Sequence, residues 1–322
     1  NPELFHELNL TLENSALSAL RNHDITKPIP VDADSRLQLL KYEESSFLDA
    51  DPVFDEGITS LLNQFLLERT QVKKLSDKGL SPAKSLLFVG PPGVGKTLSA
   101  RWLANQLNLP LLVLDLATVM SSFLGKTGTN IRAVLDHAAS FPCVLLLDEF
   151  DAIAKRRDDD SEVGELKRLV TVLLQAIDDW PLTSVLIAAS NHGELLDPAI
   201  WRRFDLEITY SLPNKKLIEK FIKKQYSELQ INTEYVADLF EGSSFSDIER
   251  TLIRSKKESV LWEKDFDLCV MDNLLKGKSL TSSSAKKAMA IELHRSGWSQ
   301  RRIEKEVGLS RPTIKKLIDE LN

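Results

Sequence analysis

The sequence predicts an α/β fold in which a parallel sheet is covered by helices on both faces and is followed by helical segments alone. Short apolar runs alternate with stretches of helical periodicity through the middle of the chain, a pattern typical of parallel strands joined by helices. After Pro213 the strand-like runs stop, and only helical patterns follow. Small polar residues at 277–284 then precede a last short segment, which suits a flexible linker.

Each predicted element follows from the spacing of its apolar residues. Strands are predicted at four almost wholly apolar runs, 86–89, 111–114, 143–147 and 185–189. Helices are predicted before and between them at about 55–78, 97–107, 129–140 and 164–178. The later helices are predicted at about 214–229, 233–241, 246–262 and 265–276. The chain is therefore divided into an N-terminal helical arm, an α/β subdomain, a helical unit, a linker and a small C-terminal helical module, at 1–50, 51–212, 213–278, 279–284 and 285–322.

Composition excludes several classes of protein. Apolar residues make up 43% and charged residues 27% of the chain, which is ordinary for a soluble globular protein. No apolar run reaches transmembrane length and no secretory leader is recognisable, so we expect a cytoplasmic protein with no membrane partner. Cys143 and Cys269 lie in apolar stretches, which favours core positions over a disulfide or a zinc cluster.

The loop after the first predicted strand has the pattern of a phosphate-binding loop. Residues 90–97, Gly-Pro-Pro-Gly-Val-Gly-Lys-Thr, fit G-x-x-x-x-G-K-[S/T], with a strand before them and a helix after them. Glycines let the backbone curl around phosphates, and the helix N-terminus adds positive potential. We expect Lys96 to reach the outer phosphates of ATP and Thr97 to coordinate Mg²⁺. The predicted nucleotide-binding residues are Pro92, Gly93, Val94, Gly95, Lys96 and Thr97.

Two carboxylates follow the third predicted strand, at the end of the sheet where α/β proteins bind ligands. Asp148 can hold the Mg²⁺ shell, directly or through water, and Glu149 can polarise the water that attacks the γ-phosphate. Such a pair is by itself more typical of a solvated strand end. Downstream of a phosphate-binding loop, it indicates catalysis.

Three motifs together resemble the AAA group of AAA+ ATPases, the kin of spastin, katanin and FtsH. They are Gly90 to Thr97, Asp148 to Ile153, and the segment from Ala189 to Asp205. The resemblance covers about 51–278 and implies a large α/β ATPase subdomain, a helical lid at 213–278 and ATP hydrolysis. It also implies a ring of identical subunits, with a homohexamer expected, in which the nucleotide lies at the subunit boundary.

The same resemblance assigns three further catalytic residues. Asn191 matches the polar sensor residue that orients the attacking water together with Glu149. Arg202 and Arg203 match the arginine fingers that one subunit inserts into its neighbour's site, where a guanidinium stabilises charge on the γ-phosphate. The Pro-Gly that many relatives place before the final arginine is missing here, which leaves open which arginine is the primary finger.

Phe123, Leu124 and Gly125 resemble the aromatic-aliphatic-glycine pore loop with which relatives grip a polypeptide. An aromatic ring gives large, sequence-tolerant apolar contact, and glycine permits the loop to bend. The alternative interpretation is a phenylalanine that faces the core.

The last segment, 285–322, resembles a helix-turn-helix. Gln300–Val307 is the predicted first helix, Gly308 to Ser310 the turn, and Pro312–Leu321 the second helix. Nine Lys or Arg against five Asp or Glu give this segment a charge of +4, and the remainder carries −10. The predicted DNA contacts are Arg311, Thr313 and Lys315, although helix-turn-helix shapes also dock proteins.

Two functions from different classes follow. The first is an AAA+ ATPase that threads or remodels a polypeptide through a ring pore. The alternative is an ATP-regulated DNA-binding regulator or scaffold that uses the C-terminal segment. Similar bacterial single-ring ATPases are often encoded beside a subtilisin-like protease, which adds such a protease as an expected partner.

Overall fold

A computed structural model of the chain describes residues 30–31, 38–43, 51–122, 127–155, 163–277 and 282–319. The chain divides into two compact units with a boundary between Ser211 and Leu212. We call them the sheet unit and the helical unit. None of the helices in the described ranges combines the length and apolar character needed to cross a membrane. Cys143 and Cys269 are both buried.

In the described residues, six strands form one sheet in the order β1-β3-β4-β5-β2-β6. Their bounds are β1 Lys41–Glu43, β2 Ser85–Val89, β3 Leu111–Asp115, β4 Val144–Asp148, β5 Val185–Ser190 and β6 Leu206–Thr209. Neighbours pair in parallel except β1, which pairs antiparallel with β3 at the edge. The predicted helix-covered parallel sheet is confirmed. The sequence does not predict β1 and β6, because these short edge strands lack a continuous apolar run.

Helices cover both faces of this sheet. They are α1 Glu56–Thr70, α2 Val72–Ser76, α3 Lys96–Leu107, α4 Leu116–Ser122, α5 Thr127–Ala139, α6 Ala152–Lys155, α7 Val163–Asp178 and α8 Pro198–Trp201. Along β2, Leu87 and Val89 belong to one buried cluster, whereas Leu86 and Phe88 belong to another, as the two-residue period of a strand requires. The first cluster includes residues of α5 and α7, and the second includes residues of α1 and α3.

The parallel register brings three strand ends to one edge of the sheet. Val89 of β2 lies opposite Ser190 of β5, and Leu147 of β4 lies opposite Ala188 of β5. Residues that directly follow β2, β4 and β5 are therefore neighbours in space although they are far apart in sequence. This is the edge at which parallel α/β sheets bind ligands.

The helical unit is built from seven helices in the described residues. They are α9 Lys215–Gln225, α10 Thr233–Leu239, α11 Phe245–Trp262, α12 Phe266–Gly277, α13 Ser282–Arg295, α14 Gln300–Val307 and α15 Arg311–Asp319. The Ser299 hydroxyl accepts a hydrogen bond from the backbone of Arg302 at the start of α14, and Gly308 ends that helix with φ 72°. The two helices predicted around the turn are thus present as α14 and α15.

One apolar core runs through the helical unit. It contains Ile222 and Val270 from the predicted lid, and Leu293, Trp298 and Ile303 from the predicted C-terminal module. The division of this unit into a lid at 213–278 and a module at 285–322 stays a prediction. The shared core shows that the last three helices pack against the preceding ones, because the same apolar residues exclude water from both segments.

Candidate active site

The phosphate-binding loop runs from the end of β2 into the first turn of α3. Its glycines have positive φ values, 152° at Gly90, 75° at Gly93 and 101° at Gly95, which residues with a side chain rarely adopt. Space also excludes a side chain at Gly90, because a Cβ atom would lie 2.2 Å from the backbone oxygen of Tyr210. The curvature of the loop therefore depends on the glycines that the motif requires.

The side chain of Val94 packs the same loop against the core. Its side chain is buried in the cluster that includes α1 and α3, whereas Pro92 is exposed. Val94 can therefore offer only backbone groups to a ligand, and its side chain serves to fix the loop on the core.

Lys96 is the first residue of α3, and only 7% of its surface is exposed. Its ammonium group donates to the carbonyl oxygens of Gly90 and Pro91 at 2.7 and 2.9 Å and to Asn191 Oδ1 at 2.8 Å. Three acceptors match the three N–H donors of the ammonium group. Burial lowers the pKa of Lys96 to about 8, while nearby carboxylates oppose this shift. Lys96 is therefore a cation at neutral pH, and its ammonium group lies against the phosphate-binding loop.

Thr97 and Asp148 bring two kinds of oxygen ligand together. The Thr97 hydroxyl donates to Asp148 Oδ2 at 3.0 Å, and Asp148 Oδ1 accepts the backbone N–H of Glu149 at 3.0 Å. A hydroxyl beside a carboxylate fits Mg²⁺, which usually takes one or two protein ligands and completes its shell with phosphate and water. No cluster of three or more metal-binding side chains occurs in the described residues. Thr97 and Asp148 are therefore two neighbouring side chains whose oxygens suit such an ion.

Glu149 directly follows β4 and has an unusual backbone conformation. Its φ is +53°, in the left-handed region that costs a residue with a side chain about 1–2 kcal/mol. The turn is fixed from both sides, since Phe150 donates its N–H to Ala189 O at 2.8 Å and Ala152 donates to Glu149 O at 2.9 Å. Glu149 is exposed, whereas Phe150 is buried. The turn therefore presents the carboxylate at the ligand-binding edge of the sheet.

Asn191 directly follows β5 and joins the other two strand ends. Its side-chain oxygen accepts from Lys96, and its backbone N–H donates to Asp151 Oδ1 at 3.1 Å. The Ser190 hydroxyl donates to the same oxygen at 3.3 Å. Asp151 is 2% exposed, so its carboxylate is a buried acceptor that holds the start of the segment after β5.

Arg202 and Arg203 follow the short helix α8, and both are exposed. Arg203 forms an ion pair with Asp178, the last residue of α7. Within the described part of the chain, neither arginine forms a hydrogen bond or ion pair with the phosphate-binding loop. The structure thus brings Lys96, Thr97, Asp148 and Asn191 into direct contact, and leaves the two arginines outside this hydrogen-bonded cluster.

The remaining predicted site residues lie elsewhere. Phe123, Leu124 and Gly125 fall outside the described residues. Arg311, Thr313 and Lys315 lie on α15 of the helical unit.

Contacts with α14 and with the turn after it already engage two of the three predicted DNA contacts. Arg311 Nε forms an ion pair with Glu304 Oε2 at 2.8 Å, and the Thr313 hydroxyl shares a hydrogen bond with Ser310 at 2.8 Å. Lys315 is exposed. Glu304 therefore cancels one of the positive charges on which the predicted DNA surface depends.

Sequence reasoning gave Asp151 and Tyr210 no function of their own. Asp151 stands three residues after Asp148, and a further acid so close to a strand end was a usable signal for a buried acceptor. Tyr210 gave no such signal, because its contact with Gly90 depends on the pairing of β6 with β2. Glu43 of β1 gave no sequence signal either. Its carboxylate accepts two hydrogen bonds from Arg101 at 2.8 and 3.2 Å.

A strand, a glycine loop and a helix in this order, with a buried lysine beside a strand-end carboxylate, define the P-loop class of nucleotide-binding folds. Residues 86–212 match the family described as ATPase family associated with various cellular activities (AAA). The chain is 37% identical to an uncharacterized AAA family ATPase, y4kL, of Sinorhizobium fredii, over 69% of this chain and 70% of that protein. The chain belongs to the AAA family of AAA+ ATPases and is an ATP hydrolase that binds ATP.

Two archaeal proteins are also similar. The chain is 29% identical to a proteasome-activating nucleotidase of Methanopyrus kandleri, over 82% of this chain and 64% of that protein. It is 33% identical to a putative 26S proteasome regulatory subunit homolog of Methanocaldococcus jannaschii, over 57% of this chain and 52% of that protein. The chain therefore spans less than two thirds of the length of these two relatives.

Proposed function

We propose that this chain is a ring-forming AAA+ ATPase that couples ATP hydrolysis to the threading or remodelling of a polypeptide. The observation that carries the ATPase part is the contact between Lys96, Asn191 and the phosphate-binding loop, beside Thr97 and Asp148. These groups come from three different strand ends, so the fold assembles them. The polypeptide part is supported by the similarity to proteins named for the proteasome.

In this proposal each residue of the cluster acts on ATP. The backbone from Pro92 to Thr97 surrounds the phosphates, and Lys96 exchanges its carbonyl partners for outer phosphate oxygens. A carboxylate oxygen of Glu149 accepts a proton from the water that attacks the γ-phosphorus, while the bond from that phosphorus to the β–γ bridging oxygen breaks and ADP leaves. Asn191 orients the same water. Its backbone is held by Asp151, so its amide is placed before ATP arrives.

Thr97 and Asp148 would hold Mg²⁺ in the same reaction. Bound Mg²⁺ neutralises charge on the phosphates and so stabilises the charge that develops during transfer. The Thr97 hydroxyl and the Asp148 carboxylate are in hydrogen-bond contact, which supports this assignment because one ion can bind both oxygens at once.

The ring follows from the arginines. In the described residues neither Arg202 nor Arg203 contacts the phosphate-binding loop, whereas a guanidinium that stabilises the γ-phosphate is worth about 10³-fold or more in rate. We propose that a second copy of the chain supplies it, in a homohexamer with one site at each boundary. A closed ring of such head-to-tail contacts uses every site.

Phe123, Leu124 and Gly125 are proposed to line the pore and grip the polypeptide. The test compares Phe123→Ala with Phe123→Tyr, since tyrosine keeps the aromatic ring. We expect a permanently unfolded, labelled polypeptide to stimulate ATP hydrolysis by the wild-type and Tyr proteins and not by the Ala protein. If the Ala protein is stimulated and remodels substrate as the wild type does, the threading proposal is wrong. A cytoplasmic location and a subtilisin-like protease partner are further parts of this proposal.

A second candidate, a DNA-binding regulator, is supported by the exposed Lys315 and by the helix, three-residue turn and helix at 300–319. Glu304 allows a sharp test, because its pairing with Arg311 opposes DNA binding. If Arg311 contacts phosphate, Glu304→Ala strengthens duplex binding by the full chain, and Arg311→Ala weakens it. The slope of log affinity against log salt should fall by about one in the second variant. Equal, salt-insensitive binding by all three proteins would leave α15 as a protein-docking surface.

A further inference from the structure

The segment that carries the two arginines is fixed within its own subunit at three successive residues. Phe204 is 9% exposed, and its ring meets that of Phe150 edge to face, with 6.1 Å between ring centroids. Asp205 Oδ2 accepts from the backbone N–H groups of Lys84 and Ser85 at 2.8 and 3.0 Å. The Ser85 hydroxyl also donates to it, at 2.9 Å. Arg203 is the third residue with a partner in its own subunit, through its ion pair with Asp178.

Asp178 lies at a junction of three elements. It ends α7, and its backbone oxygen accepts a hydrogen bond from Lys84 Nζ at 2.7 Å. A lysine at a helix C-terminus is favourable because it complements the helix dipole. Lys84 in turn precedes β2, the strand that leads into the phosphate-binding loop. The backbone of Asp178 is thus held by a contact that does not involve Arg203.

Arg202 differs from its neighbour. Its backbone N–H ends α8 by donating to Pro198 O at 3.4 Å. Arg202 is exposed, and its guanidinium forms no ion pair within the described ranges. The two adjacent arginines therefore have different surroundings, one paired with a carboxylate of its own chain and the other unpaired there.

We propose that Arg202 is the arginine that enters the neighbouring subunit's site, and that Arg203 is a positioning residue held by Asp178 in its own subunit. This inference rests on the proposed ring with shared sites. Pairing with Asp178 neutralises Arg203, so its attraction for a phosphate is weakened, whereas Arg202 keeps its full charge. Asp178 and Arg203 are 41% and 43% exposed, and such a half-exposed pair shifts an equilibrium by less than about five-fold. Loss of an arginine finger lowers the rate by about 10³-fold or more.

This difference in magnitude separates the two functions. We expect Arg202→Ala to lower kcat for ATP by about 10³-fold. Arg203→Ala should lower kcat by less than about five-fold with KM unchanged, since it disturbs only the placement of Arg202. Arg203→Lys keeps the ion pair and should restore most of the lost rate. If Arg203→Ala is as damaging as Arg202→Ala and Arg203→Lys does not recover, the inference is wrong.

The two possible roles of Arg203 predict opposite effects of Asp178→Asn on kcat. If Arg203 positions the segment, losing its partner lowers kcat a few-fold, and the exchange Asp178→Arg with Arg203→Asp recovers it. If Arg203 is itself a finger, Asp178→Asn releases it and leaves or raises kcat, and the exchanged protein stays inactive. Thermal unfolding of each variant checks the fold. Should the exchanged protein fail to fold, the direction of the change in kcat for Asp178→Asn still distinguishes the two roles of Arg203.

The inference and the ring proposal can fail separately. Activity per subunit that does not change with protein concentration, in a protein that ATP does not assemble, would overturn the ring and the inference with it. A concentration-dependent activity together with equal losses for Arg202→Ala and Arg203→Ala would overturn the inference alone.

Discussion

Two buried charged groups, Lys96 of the sheet unit and Glu292 of the helical unit, are paired in different ways. In the sheet unit, the buried Lys96 and Asp151 meet partners from other strand ends at the ligand-binding edge. In the helical unit, both carboxylate oxygens of Glu292 are buried without a hydrogen bond in the described structure, and its partner Arg295 lies 3.5 Å away. Buried polar groups that converge with full pairing indicate a chemical site, whereas a poorly paired one indicates a packing compromise.

Glu149→Gln should produce the largest effect on the sheet unit. Removing the carboxylate leaves the phosphate-binding loop and Lys96 intact, so ATP should still bind while turnover falls by about 10²–10⁴-fold. Fluorescent-nucleotide binding and steady-state hydrolysis measure the two effects. Lys96→Ala is the matched control, in which binding itself should weaken by about 1.5–3 kcal/mol. Hydrolysis by the Gln protein at the wild-type rate would show that Glu149 does not activate the water.

Trp298→Ala tests whether the helical unit is one cooperative body. Trp298 is 6% exposed, and its ring stacks under the Arg302 guanidinium at 3.5 Å. We expect the free energy of unfolding to fall by about 3–5 kcal/mol. Because the core is shared, all helices of the unit should lose protection from hydrogen exchange together. Trp262, which is 69% exposed, provides the control, and Trp262→Ala should change stability by no more than about 0.5 kcal/mol. Hydrogen exchange that rises only after residue 285 would show two separate modules.

Gly90→Ala tests the packing beneath the phosphate-binding loop. The new Cβ would lie 2.2 Å from Tyr210 O, so strand β6 or the loop must shift, at a cost of about 1–3 kcal/mol. Gly128 in α5 is the control, because among the described residues no atom outside its chain neighbours and its own helix backbone lies within 4 Å of a Cβ there. Gly128→Ala should raise stability by up to about 1 kcal/mol. Urea unfolding of the two variants would contradict this account if both moved in the same direction.

Glu292→Gln should have the smallest effect, and a pH-dependent one. Burial raises the pKa of Glu292, so the folded state binds a proton that the unfolded state has already lost. The stability due to this group is therefore present below the ordinary glutamate pKa and is lost as pH rises through the folded value. At neutral pH, Glu292→Gln should raise the free energy of unfolding, because the neutral amide leaves no charge to bury. Identical pH profiles of stability for the two proteins would rule this out.

The sequence predicts most of the candidate site because its motifs are local. The order of strand, glycine loop and helix determines where Lys96 and Thr97 lie, and a strand end determines where Asp148 lies. The bounds of α14 and the turn after it follow from Ser299 and Gly308 in the same way. Such features depend on neighbouring residues only.

Long-range partners could not be predicted in this way. Trp298 lies between α13 and α14, so helical periodicity predicts neither its burial nor the helices that cover it. The pairing of Arg203 with Asp178 joins residues that are far apart in the sequence, and it requires α7 to end beside the segment after α8. Edge strand β1 is a three-residue run that pairs with β3 and forms an ion pair with α3 through Glu43 and Arg101.

Mixing two inactive variants tests the shared site most directly. Arg202→Ala subunits keep an intact phosphate-binding loop, and Lys96→Ala subunits keep an intact arginine, so about a quarter of randomly formed boundaries should be complete. The account predicts that ATP hydrolysis reappears on mixing. It does not reappear when Lys96→Ala is mixed with Glu149→Gln, because both changes damage the same half of the site. If the first mixture stays as inactive as its components while rings still form, the site is not shared between subunits.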